Sequence, residues 1–251
     1  MSQISVYPDK ESLAAGAVDL IIDAARLAIE KRGRFSLALS GGETPRPVYA
    51  RLASPPFREA IDWSRVFIYF GDERCVAPED PRSNYLMAKT VLLDQIAIKN
   101  THIFRIHGED PPESAARDYD NVLCNAFGPQ SREEGKLREP FDLILLGMGE
   151  NGHTASLFPG TAAVVETKRR VMAVYVENGS LWRITMTPVV INAARQVAFL
   201  VRGAEKAEML KRVIEGPFQP ALLPAQAVRP TGGKLLWMVD RQAAAGLRIK
   251  P

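Results

Sequence analysis

Residues 35–45 read Phe35-Ser36-Leu37-Ala38-Leu39-Ser40-Gly41-Gly42-Glu43-Thr44-Pro45. A short apolar run ending in two glycines is a strand that feeds a tight turn, and a proline three or five residues on can open a helix. Val66-Phe67-Ile68-Tyr69-Phe70 ends the same way at Gly71, and Leu143-Ile144-Leu145-Leu146 ends at Gly147. Runs at 171–176, 197–201 and 235–239 continue the series. Between them lie helical periods near 47–52, 85–93, 113–127 and 205–214, and a long one from 11 to 31 that Gly33 stops. Apolar runs alternating with amphipathic helices imply strands buried on both faces, hence a mostly parallel sheet in an α/β protein. No internal repeat or linker divides the chain, so one domain over 1–251 is expected. The polar stretch 130–139 reads as a surface loop.

The composition fits that frame. The 251 residues are 46% hydrophobic and 24% charged, with 32 Lys+Arg against 29 Asp+Glu. A net charge of +3, with no basic cluster, points away from a nucleic-acid partner. The apolar runs are far shorter than the ~20 residues of a membrane span. Met1-Ser2-Gln3-Ile4 does not begin a basic and then apolar leader, and Cys75 and Cys124 form no C-x-x-C or disulfide framework. A cytoplasmic setting is expected, without membrane or nucleic-acid partners, as a monomer or weak homo-oligomer.

In an open parallel sheet the ligand sits beyond the carboxyl ends of the strands. After the first run, Ser40-Gly41-Gly42-Glu43-Thr44 can turn several N–H groups into one concavity, a nest for an anion. It lacks the Gly-Lys-Ser/Thr ending of a nucleotide P-loop, and an ordinary strand-to-helix turn is the alternative. After the third run, Gly147-Met148-Gly149-Glu150-Asn151-Gly152 matches G-x-G-x-x-G, which would make Glu177 a ribose partner. Pro159-Gly160 interrupts too soon for the long helix a dinucleotide needs, so a nicotinamide-dependent oxidoreductase is disfavoured. His153, one of three histidines, stands in this loop where a general base is useful; the alternative is a turn residue with a satisfied ring. His102 and His107 read as structural. After the second run, Gly71-Asp72-Glu73-Arg74 places charges where a ligand would lie, although solvated loops often look the same. Ser83-Asn84-Tyr85 can cap the next helix, and Cys75 has no fixed partner that would make it a nucleophile. Arg183, Thr185 and Thr187 alternate onto one face, and Lys206 starts a helix after 197–201. Arg183 and Lys206 could close the glycine nest into a phosphate clamp.

Together these motifs resemble the 6-phosphogluconolactonase branch of the glucosamine-6-phosphate isomerase/deaminase superfamily. The carrying segments are Leu39-Ser40-Gly41-Gly42-x-Thr44-Pro45, Gly71-Asp72-Glu73-Arg74 with Ser83-Asn84-Tyr85, and Gly147-x-Gly149-x-x-Gly152-His153-Thr154-Ala155-Ser156-Leu157-Phe158-Pro159. Arg183-Ile184-Thr185-Met186-Thr187 and Gly203-x-x-Lys206 complete the set. The deaminase branch typically carries tyrosine where Arg74 stands and a different continuation after its histidine. The resemblance implies a three-layer α/β/α sandwich on a modified Rossmann plan, without cofactor, and the sequence shows no cluster of suitable metal ligands, which disfavours metal-assisted hydrolysis. It implies hydrolysis of 6-phospho-D-glucono-1,5-lactone in the oxidative pentose phosphate pathway. His153 is then the general base, with Asn151 beside it where the family more often has aspartate. Arg74, fixed by Asp72, holds the lactone end. Ser40, Gly41, Gly42, Thr44, Arg183 and Lys206 hold the phosphate, with Glu43 turned away. A deaminase-like sugar-phosphate isomerase and a non-catalytic sugar-phosphate-binding protein are the alternatives.

Overall fold

The computed structural model describes residues 2–128, 140–176 and 180–248. The predicted loop 130–139 and Glu177 lie outside the described residues. In chain order the elements are β1 (Ser2–Tyr7), α1 (Lys10–Arg32), β2 (Phe35–Leu39), α2 (Arg46–Leu52), β3 (Val66–Phe70), β4 (Asp72–Arg74), α3 (Asn84–Val91) and β5 (Ile103–Phe104). Then come α4 (Pro112–Phe127), β6 (Leu143–Gly147), β7 (Val171–Val176), β8 (Leu181–Met186), α5 (Pro188–Ile191), β9 (Gln196–Val201), α6 (Ala207–Glu215) and β10 (Lys234–Asp240).

Seven strands form one parallel sheet in the order β1-β10-β9-β6-β2-β3-β5. All five residues of β2 are buried, which requires layers on both faces of the sheet, and flanking helices supply an α/β/α sandwich. From β2 the chain moves to β3 on one side, then returns through β6 on the other. The strand order therefore reverses between β2 and β6, and the crevice beyond their carboxyl ends is the switch point of the sheet.

One expectation is corrected. The run 171–176 does not extend the parallel sheet: β4, β8 and β7 form a separate antiparallel sheet. Its burial explains why, since Tyr175 points to solvent and the run is apolar without being enclosed on both faces. Gly71 joins the two sheets. Its N–H donates to Leu39 O at 2.9 Å, and its carbonyl accepts from Met186 N at 2.9 Å. No helix among the described residues is long and apolar enough to cross a membrane.

Candidate active site

The glycine-rich loops expected to meet do meet. A cleft of about 330 Å³ opens at the switch point, walled by residues 40–45 after β2, 147–149 and 153–155 after β6, and Arg202, Glu205 and Lys206 after β9. Asp72 and Arg74 from β4, Asn84 from α3 and Arg183 from β8 complete it. Of the ten residues singled out from the sequence, nine line this cleft; Asn151 stands behind His153.

Two buried tyrosines hold the ends of the strands that deliver the site. Where the β2 ladder stops, Tyr49 O–H donates to Ser40 O at 2.9 Å and accepts from Ser40 N at 3.0 Å. Tyr119 does the same for Phe70 at the end of β3, with both distances 2.9 Å. Each hydroxyl satisfies a backbone pair that would otherwise be buried without a partner. The 40–45 loop thus leaves a fixed point. Pro45 precedes α2 and Pro47 lies in its first turn, as the sequence suggested.

The loop after β6 opens no long helix, which removes the dinucleotide reading. It curls on itself: Gly149 N donates to His153 O at 2.9 Å, and Gly152 N to Gly149 O at 3.1 Å. His153 is thereby turned into the cleft, stacked on Phe158 with centroids 4.2 Å apart. Its Nδ1 lies 2.6 Å from Asn151 Oδ1. A side-chain carbonyl only accepts, so with Asn151 in this orientation Nδ1 carries the proton and Nε2 is left as a free base. Burial lowers the His153 pKa to about 4; Asp72 opposes this, while Arg183, Lys206 and Arg74 add to it. The imidazole is therefore neutral at ordinary pH.

Asp72 is buried, and the expected pairing with Arg74 is not formed. Among the described residues its carboxylate accepts from Ser156 Oγ at 2.6 Å and from Asn84 Nδ2 at 3.2 Å. Arg74 is held otherwise: its Nη1 donates to the carbonyl of Arg82, and its backbone N–H to Glu73 Oε1 at 2.8 Å. Register places Arg74 directly opposite Arg183 across β4 and β8. Two guanidiniums side by side repel unless an anion lies between them. Both have an Nε buried without a partner, as do Ser40 Oγ and Asn84 Oδ1. Among the described residues these four orphaned side-chain atoms all belong to residues that line this cleft. Lys206 faces it too, 3.6 Å from Glu150. Glu43 is exposed, and its carbonyl accepts from Arg202 at 3.2 Å.

The residues read as structural are structural. His102 Nδ1 is 3.1 Å from Val66 O and its ring stacks on Phe67. His107 lies at the surface near Glu109. Burial, reinforced by Glu73, pushes the Cys75 thiol up to about 11, which leaves it inert. Ser83, as expected, caps α3 through Leu86 N at 3.1 Å. Three members of the cleft escaped the sequence reading. Arg202 and Glu205 follow β9 immediately, where the rule that directs attention to strand ends would have found them. Asn84 was hidden inside a segment that capping already explained. Among the described residues no group of three or more His, Cys, Asp or Glu is placed to hold a metal.

A parallel sheet with a cationic cleft at its switch point, and a neutral histidine facing that cleft, defines an α/β protein suited to acid–base chemistry on an anionic small molecule. The chain matches the family described as glucosamine-6-phosphate isomerases/6-phosphogluconolactonase over residues 8–237, and it belongs to that family. A 6-phosphogluconolactonase of Nostoc sp. is 38% identical over 248 residues, 98% of each chain. The structure of 6-phosphogluconolactonase from Trypanosoma brucei has a TM-score of 0.85 at 28% identity, covering 98% of this chain and 99% of that one. A monomeric glucosamine-6-phosphate deaminase, 22% identical with a TM-score of 0.81 over 98% of this chain and all of its own, shares the fold alone.

Proposed function

We propose that residues 1–251 act as one lactonase domain, with His153 the general base that hydrolyses 6-phospho-D-glucono-1,5-lactone to 6-phospho-D-gluconate in the oxidative pentose phosphate pathway. The observation that carries the proposal is the 2.6 Å contact between His153 Nδ1 and Asn151 Oδ1, which leaves Nε2 unprotonated beside three cations. The full-length similarity to a 6-phosphogluconolactonase supports the same substrate.

The chemistry follows from the ester character of a lactone. Water is a poor nucleophile, so its attack on C1 is helped by a base and by stabilisation of the developing oxyanion. His153 Nε2 takes the proton of the attacking water as the new C1–O bond forms. The resulting imidazolium returns that proton to the ring oxygen as the C1–O5 bond breaks, giving the open-chain acid. Arg74, whose Nε is unspent, holds the lactone end and its oxyanion. The N–H groups of the 40–44 loop, with Arg183 and Lys206, hold the phosphate. Asp72 faces the imidazolium as it forms and favours it.

A coupled assay tests the reaction. The purified protein is expected to accelerate hydrolysis of freshly generated 6-phosphogluconolactone above its spontaneous rate and to release no ammonia from glucosamine 6-phosphate. The reverse pattern would assign it to the isomerase/deaminase branch. Phosphate-ligand binding without either activity would make it a sugar-phosphate-binding protein. The setting we propose is cytoplasmic.

A further inference from the structure

We infer that Asn84 is a positioning residue that couples Asp72 to the phosphate loop through its fit against Gly41. The inference rests on the lactonase reading for its catalytic consequence. Capping does not require the Asn84 side chain, because Ser83 caps α3 and the Asn84 backbone N–H already donates to Glu73 Oε1 at 2.7 Å. Yet Asn84 is only 3% exposed and lines the cleft. Its Nδ2 donates to Asp72 O at 2.9 Å and to Asp72 Oδ1 at 3.2 Å. Those two acceptors fix the amide, since the flipped form would set a carbonyl against both of them.

With Nδ2 committed to Asp72, the amide lies against Gly41 with Oδ1 nearest, and Oδ1 finds no donor. A Cβ on Gly41 would stand 1.8 Å from Oδ1 and 2.2 Å from Cγ. The φ of Gly41 is outside the left-handed region, so its backbone does not demand glycine. The Asn84 side chain does. Ser40 Oγ, one residue away, is likewise buried without a partner. The seam between loop and helix is thus closed by contact, with two polar atoms unspent. A ligand phosphate that shifts residues 40–42 presses on Asn84 and, through Nδ2, on Asp72. One rigid side chain thus links phosphate capture to the carboxylate that faces His153.

The test is a double-mutant cycle in the full-length protein, using Gly41→Ala, Asn84→Ala and the double variant. Kinetics are measured on the phosphorylated lactone and on glucono-1,5-lactone, with calorimetric binding of 6-phosphogluconate and thermal melting alongside. Gly41→Ala alone should displace Asn84 and lower kcat/KM on the phosphorylated lactone by about 100-fold, the scale of an ångström misplacement. Asn84→Ala should cost about tenfold, affecting KM and kcat together, since contacting residues act as a unit. In the Asn84→Ala background the contact with the amide is gone, so adding Gly41→Ala should cost far less in activity, binding and Tm than it does in the wild-type background. The losses should be larger for the phosphorylated lactone, whereas a damaged fold would slow both lactones alike. Additive losses in the double variant, or wild-type kinetics of a folded Asn84→Ala protein, overturn the inference. A wild type that binds 6-phosphogluconate but hydrolyses no lactone refutes the hydrolase reading instead, and the binding arm of the cycle then decides the coupling. A wild type that does neither overturns both readings.

Discussion

Replacing Asn151 by aspartate should move the acid limb of lactone hydrolysis to higher pH. In the wild type, burial holds the His153 pKa down to about 4, against the pull of Asp72 and with the help of Arg183, Lys206 and Arg74. Asn151 meets Nδ1 at 2.6 Å with a neutral carbonyl, which orients the ring but adds no charge. A carboxylate at the same place would stand about 4 Å from the centre of an imidazolium, worth about 4 kcal/mol at an effective dielectric near 20. At about 1.4 kcal/mol per pH unit that is an upper bound of roughly three units. The Asn151 side chain is exposed, so solvent and salt screen the pair. A rise of about 1–2 units is the working figure, placing the limb near pH 5–6.

The sign is set by which form is active. In the proposed mechanism neutral imidazole is the base, so kcat/KM should be lost as pH falls through the pKa. The aspartate variant should therefore be impaired at pH 5 and little changed at pH 7.5. Acid release can be followed by pH-stat over pH 3.5–8, with spontaneous hydrolysis subtracted, and imidazole nitrogen shifts can be read by NMR. A wild-type limb at pH 6.5 or above would refute the claim that burial and the three cations keep His153 neutral. So would an aspartate variant whose limb stays put or moves down. An imidazole protonated on Nε2 at neutral pH would refute the assignment of the base.

Three further outcomes are expected. His153→Ala should lower kcat by about 10²–10⁴ while circular dichroism and 6-phosphogluconate binding are retained; wild-type turnover would remove His153 from the chemistry. Arg183→Ala should raise KM for the phosphorylated lactone about tenfold or more and narrow the preference over glucono-1,5-lactone, and an unchanged preference would place Arg183 outside the clamp. Glu73 is 2% exposed and accepts from the backbone N–H groups of Arg74, Asn84 and Tyr85 and from Ser83 Oγ. Glu73→Ala should destabilise the fold by about 3 kcal/mol, or about 6–12 °C in Tm; a calorimetric loss below about 1 kcal/mol would contradict that role.

Most strands legible in the sequence are those buried on both faces, while β7 reads as an apolar run with Tyr175 exposed. β2, β3, β6, β9 and the interior of β10 are enclosed on both faces and so appear as unbroken apolar runs. β1 was missed because it lies at the edge of the sheet and Ser2-Gln3-Ile4-Ser5-Val6-Tyr7 is nowhere fully buried. β4 could not be read at all, since Asp72-Glu73-Arg74 carries three charges. Its burial is made tolerable by donors from elsewhere, among them Ser156, which is 84 positions from Asp72. The same long-range partnering separates what was legible in the site from what was not. The ends of three parallel strands pointed to the cleft and to seven of its residues, because position in a parallel sheet is a local property, whereas Arg183 and Lys206 came from an alternating run and the start of a helix. That Asp72 would hold Ser156 and Asn84 in place of Arg74 depends on how two sheets and a helix pack.

The glycines show how one sequence signal can arise from different physics. Gly147-x-Gly149-x-x-Gly152 has the spacing of a dinucleotide fingerprint, in which glycine lets a pyrophosphate approach the backbone. Here a Cβ on Gly149 would lie 2.0 Å from Nδ1 and 2.1 Å from Cε1 of His153, at a φ that any residue can adopt. What needs the space is the chain's own imidazole, folded back over the loop that carries it. Gly41 is governed in the same way, by the amide of Asn84. In a dinucleotide site the space belongs to the ligand, and a long helix must follow to meet the phosphates. When the space belongs to the chain's own side chain, no helix is required. The loop can close within a few residues, as it does through the bond from Gly149 N to His153 O. The early Pro159-Gly160 is thus compatible with three glycines in a row of six, of which Gly149 makes room for the imidazole and Gly152 takes a left-handed φ of 77°.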